Sequence, residues 1–442
     1  MSRQFAVLAC IGFIGWLIRH DMRVRQFMPP YVIIPAMWLA IIGSRPLAYW
    51  LMPWESQAMA TDNNPWNLLV QGSLIGAGIV VLHRKGHDWI AFVRNNKWLS
   101  ALYIYFACTA LWSPDSFTTV KRVARDFGGV VMVLILLSSR DPYETIRTVF
   151  VRVGYILLPL SVVLIKYYPE FGRCYSKGWE LMYTGVTMHK NALGAMTLVI
   201  VLMLSLDVLE LLRGSAMGQK NITLVSRVSV IIIGLWLLGV SNCKTALLSG
   251  AVAVTAFLGG RYLTKCGSIH AAEVVLVGLA AGVALTEVNV HLSKPVIAAL
   301  GRQENLTGRT EVWRRVREQR IDPLVGYGFM SFWDSDAAKI YGEHTDLKTA
   351  HNGYLETYID GGVIGVILLV AFLAESFKKA VRELFVEGYY GRAKFAFFIV
   401  FLVYNYSESA FFRLGIVWFM FLSTSVQGSL AHKAVTSVTA RA

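Results

Sequence analysis

The stretch TAHNGYLETYIDGGVIGVILLVAF, residues 349–372, begins with a histidine and an asparagine and runs on as an apolar segment that carries Glu356 and Asp360 near its head. From residue 353 to 374 it is long enough, at about 1.5 Å per helical residue, to cross the ~30 Å hydrocarbon core of a bilayer. The surrounding chain has a matching composition: 55% of its 442 residues are hydrophobic, 16% are charged, and the mean hydropathy is +0.51. Soluble domains carry about 25% charged residues.

Apolar windows recur near residues 4–18, 28–50, 67–83, 98–112, 126–138, 149–166, 191–212, 225–241, 245–263, 271–288, 353–374, 394–407 and 411–428. They are continuous rather than alternating, and only helices and closed barrels satisfy every backbone group in lipid. The expected fold is therefore all-α, a polytopic transmembrane helical bundle of about 12–13 spans. The expected organisation is N-terminal transmembrane helices over 1–288, one long outer loop over 289–350 between spans ten and eleven, and three C-terminal transmembrane helices over 351–442. RHDMRVRQ (19–26) follows the first window where a small-residue cleavage site would stand, which argues against a cleaved signal.

Short loops set the orientation. RHDMRVRQ (19–26), HRKGHDWIAFVRNNK (83–97), SRDPYETIRTV (139–149), RGSAMGQK (213–220) and KKAVRELFVEGYYGRAK (378–394) hold most of the loop Lys and Arg, which places them in the cytoplasm. MPWESQAMATDNNPW (52–66), without Lys or Arg, and the long 289–350 segment then lie outside. The net charge of +14 has a topogenic explanation, so nucleic acid is not an expected partner. The five cysteines include no C-x-x-C pair; Cys174 and Cys243 fall near the outer side, where a disulfide between them is one reading.

Several cations stand on the outer side, where topology disfavours them: Lys121, Arg122, Arg173, Lys177, Lys190, Lys244 and Arg309. Headgroup anchoring explains any single Lys or Arg at a helix end. Lys244 fits that reading less well, because it falls between two closely spaced apolar windows beside Ser241, Asn242 and Thr245. In the outer loop, TGRTEVWRRVREQR (307–320) reads as an amphipathic helix capped by Thr307 and ended by Asp322-Pro323, with Arg309 in its first turn. DPLVGYGFMSFWDS (322–335) follows, with Gly326 and Gly328 supplying a tight turn between aromatics.

A helix beginning near His351 puts Asn352, Glu356 and Asp360 on one stripe, spaced by four, and Gly361 and Gly365 on a small-xxx-small packing face. Polar stripes of spans face the bundle interior, and this one, only about two turns long, is expected to line a cavity open to the outer surface. His351 at its mouth can exchange protons near neutral pH; a lone histidine at a helix end is more often a polar residue satisfied by its neighbours.

Taken in chain order, LWSPDSFTTVKR (111–122), GVTMHKNALGA (185–195), LGVSNCKTALLSG (238–250), GRTEVW (308–313) with DPLVGYGFMSFW (322–333), AHNGYLETYIDGGVIG (350–365) and NYSES (405–409) resemble the O-antigen ligase and polymerase superfamily. Its members transfer glycans from a polyprenyl diphosphate carrier on the outer face of the bacterial inner membrane. The HKN and SNCKT forms look closer to the exopolysaccharide polymerase branch. Ligases usually present an arginine where Lys244 stands, so a bidentate phosphate contact does not carry over to that position.

The resemblance implies a multi-pass inner-membrane glycosyltransferase with its site facing the periplasm and with neither cofactor nor metal. Arg309, with Arg122, Arg173, Lys190 and Lys244, would clamp the donor diphosphate, and His351 would take the proton of the acceptor hydroxyl. His189, Asn191, Asn352, Glu356 and Glu408 would orient the ring or hold the acceptor. The implied partners are the lipid-linked glycan donor, a glycan acceptor, the bilayer and, for a polymerase, a flippase and a chain-length regulator. Ligation to lipid A core remains a second reading. A transporter is a third, and it would be expected to show inverted repeats, which the two halves of the chain do not display.

Overall fold

The computed structural model describes residues 2–25, 28–51, 64–176, 179–213, 220–266, 319, 321–335, 349–386 and 388–428. The 271–288 window, Lys177 and the expected helix around Arg309 lie outside these residues. Among the described residues, seven helices are long and apolar enough to span a membrane: Arg3–Val24, Pro65–Arg84, Pro142–Tyr167, Lys190–Arg213, Asn221–Ser241, Lys244–Lys265 and Gly353–Val386. Ser116–Leu137 and Tyr389–Ser407 have similar length, and Ile33–Ile42, Lys97–Cys108 and Ile416–Ser425 are shorter. The polytopic all-α reading stands.

Two windows behave differently from expectation. The 28–50 window is not one helix but a 3₁₀ turn at Pro30–Val32, a helix at Ile33–Ile42 and a short helix at Leu47–Leu51. Pro46 has no N–H to continue the ladder and disfavours helical backbone at the residue before it, and the Arg45 N–H goes to the Val186 carbonyl, 2.8 Å away. The basic 378–394 stretch is largely helical rather than loop, since the Gly353–Val386 helix continues through its first half. Cys174 and Cys243 are both free thiols, so the disulfide reading is set aside.

The described chain packs as two units. One comprises residues 1–95, 127–247 and 414–442. Its centre is the Pro142–Tyr167 helix, with 78% of its apolar window buried; in Arg3–Val24 the share is 22%, so that helix turns most of its apolar surface to lipid. Phe5, Leu8 and Ile11 are among the side chains left outside. Small residues let the helices approach closely, as expected where lipid supplies no hydrophobic drive between helices. Gly154 lies against Ile200, Gly234 against Val201, and Gly194 against Cys243 and Ala246. A two-stranded antiparallel hairpin, Arg173–Tyr175 with Leu181–Tyr183, pairs Cys174 with Met182.

The other unit comprises residues 96–126 and 248–413. Its Gly353–Val386 helix packs against Tyr389–Ser407 and Lys97–Cys108, and Gly361 and Gly365 both meet the Tyr105 ring. At Gly362 the helix breaks, with φ 59° and ψ −159°, a region that essentially only glycine enters. The break frees backbone groups, and the segment 323–328 pairs with them. Tyr327 N–H donates to the Ile359 carbonyl (2.8 Å) and Gly328 N–H to that of Asp360 (3.1 Å), while Pro323 and Leu324 accept from Val363 (2.8 Å) and Ile364 (3.1 Å). The Tyr105 hydroxyl donates to the Gly361 carbonyl, 2.7 Å away.

Glycine is needed on both sides of this backbone contact. A Cβ on Gly362 would land on the Leu324 carbonyl, and one on Gly326 (φ 73°) would stand 2.6 Å from the Gly361 and Gly362 nitrogens. Gly362→Ala should therefore cost about 2–5 kcal/mol of stability through strain plus overpacking. Gly388→Ala, at φ 56° but with nothing within 4 Å, should cost only about 1–2 kcal/mol. Thermal unfolding of the purified variants in detergent checks this; equal losses at the two positions would show that segment 323–328 does not clamp the break.

Candidate active site

The polar stripe lies in the second unit, and its head is built by two local turns. Asn352 caps the helix, its side-chain oxygen accepting from the Tyr354 (3.0 Å) and Leu355 (3.1 Å) N–H groups. Buried Asn405 ends the Tyr389–Ser407 helix: its Oδ1 accepts from Ala410 and Phe411, both at 2.9 Å, and folds NYSES back. This brings Glu408 to His351, Oε2 lying 3.0 Å from Nδ1. A carboxylate only accepts, so Nδ1 carries the proton and the neutral ring presents Nε2 as the acceptor. The ring is 23% exposed and the carboxylate 10%, so the pair is held inside while the ring keeps access.

Below the head, the stripe does not line an open cavity, as the sequence suggested. Glu356 and Asp360 are 1% and 3% exposed because segment 329–333 and Arg413 cover them. Glu356 accepts four hydrogen bonds: Thr349 Oγ1 (2.7 Å) and Ala350 N–H (2.6 Å) on one oxygen, Trp333 Nε1 (3.0 Å) and Arg413 (2.7 Å) on the other. Asp360 accepts from Met330 N–H (3.0 Å) and Arg413 (3.2 Å). One guanidinium thus bridges both carboxylates. His351, Met330 and Phe412 all have positive φ, a costly conformation for large side chains that gathers where the surroundings over-determine the backbone.

Arg122 is in the same unit, buried, and engaged with the Met330 carbonyl and the Asp334 carboxylate. Nearby, the Ser113, Thr119 and Ser331 hydroxyls form a closed triangle at 2.7–2.9 Å, and Thr109 Oγ1 accepts from Phe329 N–H at 3.0 Å. Segment 323–334 is therefore fixed on one side to the broken helix and on the other to residues 109–122.

The remaining expected residues that the structure describes belong to the first unit. Lys190 and Lys244 are the first residues of their helices, and the Gly194–Cys243 contact sets these helix starts side by side. His189 Nδ1 accepts from Asn191 N–H at 3.2 Å. Arg173 donates to the Ile165 carbonyl (2.8 Å) and stacks on Tyr183. Burial pushes the Cys174 thiol up from its ordinary pKa, and the Lys190 ammonium partly opposes the shift.

Two arginines escaped the sequence reading. Buried Arg45 donates to the carbonyls of Phe171 (2.6 Å), Gly185 (2.8 Å), Val186 (3.3 Å) and Thr187 (3.2 Å), winding the chain that leads into His189 around its guanidinium. Arg413 was missed although its signal was present: two carboxylates four apart in a span need a bidentate cation, and AFFRLGIVW (410–418) holds a lone arginine between apolar residues.

Residues 228–370 match the family described as O-antigen ligase, a range that takes in Lys244, segment 322–335, His351, the stripe and the helix break. The chain is also similar to the exopolysaccharide production protein ExoQ of Rhizobium meliloti (strain 1021), 24% identical over 303 residues. That match covers 66% of this chain and 66% of the relative, slightly under two thirds of the relative's length.

Removing one partner from a buried charge cluster typically costs about 3–5 kcal/mol. Arg413→Met should lose that much, and adding Glu356→Gln and Asp360→Asn should recover at least half, since no buried charge would then lack a partner. Unfolding in detergent reads the difference; a fully stable Arg413→Met protein would contradict the bridge.

Proposed function

We propose that this member of the O-antigen ligase and polymerase superfamily is a membrane glycosyltransferase that moves a glycan from a polyprenyl diphosphate carrier onto a sugar hydroxyl, joining repeats of an exopolysaccharide or O-antigen. The observation that carries the reading is the His351–Glu408 pair at the head of a broken membrane helix. The acceptor oxygen attacks the anomeric carbon, the bond from that carbon to the diphosphate oxygen breaks, and polyprenyl diphosphate leaves with the electron pair. The hydroxyl proton passes to His351 Nε2, and Glu408 stabilises the imidazolium that forms. One displacement of this kind inverts the anomeric centre.

The leaving diphosphate gains negative charge in the transition state, so fixed cations lower the barrier by stabilising it there more than in the ground state. Arg309 is the first of these in this reading, with Arg173, Lys190 and Lys244. The two lysines stand at adjacent helix starts, whose dipoles also favour an anion. Arg122 and Glu356 take positioning roles, the one tying down segment 330–334, the other balancing Arg413. The basic short loops support a site on the periplasmic side of the inner membrane, and a polymerase there would draw on a flippase and a chain-length regulator. The reaction so written needs neither metal nor cofactor.

The relative's name, an exopolysaccharide production protein, favours polymerisation over ligation. A deletion strain should accumulate single unpolymerised repeats; free long chains would indicate a ligase instead.

His351→Gln keeps size and hydrogen bonding but removes the base, and should lower turnover about 100-fold to 10,000-fold in proteoliposomes supplied with a lipid diphosphate donor and an acceptor. His351→Gln with wild-type turnover would reduce the histidine to a structural residue.

A further inference from the structure

The unit that lacks His351 carries an open cavity of about 1020 Å³ at the ends of the Arg3–Val24, Pro142–Tyr167, Lys190–Arg213 and Lys220–Ser241 helices. Nothing in the reaction above uses it. Its deep wall is a buried ion network. Asp21 pairs with Arg25 (3.3 Å), Arg152 (2.7 Å) and Arg227; Asp207 pairs with Arg25, Arg147 (3.1 Å) and Arg227 (2.7 Å). Arg227 also donates to the Tyr155 hydroxyl, and Glu144 and Glu210 take further bonds from Arg147. This wall is compensated and ties the helices together.

The rim is not compensated. Six basic side chains, Arg23, Arg25, Lys85, Arg140, Arg147 and Arg227, line the cavity against four carboxylates, those of Asp141, Glu144, Asp207 and Glu210. Among the described residues no ion pair engages Arg23, Lys85 or Arg140. Lys85 spends two of its three N–H groups on the Tyr31 hydroxyl (2.6 Å) and the Ser138 carbonyl (3.0 Å), which fixes the ammonium and leaves one donor. Asp141 is occupied capping the Pro142–Tyr167 helix through Glu144 N–H. The excess charge therefore sits on three side chains around one opening.

The same helix ends carry exposed apolar side chains: Met22, Leu212, Ile222 and Val225 are each more than half exposed. A cationic cavity flanked by apolar helix surface fits an anionic headgroup with attached acyl chains better than a free anion, which would gain nothing from the apolar flank. These residues also lie on the face that the basic short loops assign to the cytoplasm, where anionic lipids attract basic residues. We propose that this cavity binds the phosphate headgroup of an anionic lipid, with Arg23, Lys85 and Arg140 on the phosphate and the acyl chains against the apolar flank.

The test is native mass spectrometry of the full-length protein in detergent, titrated with phosphatidic acid and, separately, with phosphatidylcholine. Each rim cation should contribute about fivefold, so the Arg23→Gln, Lys85→Gln, Arg140→Gln triple variant should bind phosphatidic acid about 100-fold more weakly and phosphatidylcholine unchanged. Unaltered phosphatidic acid affinity in the triple variant would overturn the site. Arg140 is exposed, so Arg140→Gln alone carries the test if the triple variant fails to assemble: a loss of about fivefold supports the proposal and none overturns it. Inorganic phosphate that displaces the lipid at equal affinity would overturn the lipid assignment in favour of a soluble anion.

Discussion

Breaking a helix within a membrane span strips several backbone groups of their partners, and in hydrocarbon each unpaired group costs several kcal/mol. Gly362 makes such a break, and segment 323–328 is the only described stretch that pairs with the freed groups at Ile359, Asp360, Val363 and Ile364. The exchange is backbone to backbone at van der Waals distance, which explains why glycine stands on both sides of it, at 326 and at 362. Once this segment is seated, its continuation has little freedom. Met330 N–H reaches Asp360, Trp333 reaches Glu356, and Phe329 N–H reaches Thr109.

The buried charges follow from that seating. Two carboxylates four residues apart would repel each other in a low-dielectric interior, and Arg413 lies between them as a shared counter-ion. Arg413 is placed by the Asn405 turn, and the same turn delivers Glu408 to His351. One short element thus neutralises the foot of the stripe and orients the ring at its head. The stripe is in this sense a support for His351, which alone of the stripe's acid–base groups combines access with an oriented ring.

Much of this organisation was legible from the chain alone because it is local. A hydropathy window needs only contiguous residues, and each such window within the described residues holds helix, though in pieces over 28–50 and only at Ile416–Ser425 within 411–428. The spacing of Asn352, Glu356 and Asp360 is set by a single helix, and it holds in the structure. What the sequence concealed was non-local or conformational. Arg413 is 53 and 57 residues from its partners, and Asp21 is 206 residues from Arg227. Gly361 and Gly365 read as a close-packing face, and nothing local marks Gly362 between them as the break that segment 323–328 accommodates. Arg45 reads as an interruption in an apolar window, yet it organises the chain before His189. Residues such as Arg25 and Arg147 read as topogenic charge, while the structure engages them in a buried network.

In the proposed reaction a single displacement takes place at the anomeric carbon, with His351 as base and diphosphate as leaving group. The stereochemistry of the product reads this directly. Wild-type protein reconstituted with a synthetic polyprenyl diphosphate glycan of known anomeric configuration and a defined acceptor would be allowed to turn over, and the new linkage assigned by NMR. A single displacement gives a linkage inverted relative to the donor, with one polyprenyl diphosphate released per bond formed. A retained configuration would require a covalent glycosyl intermediate and would contradict it.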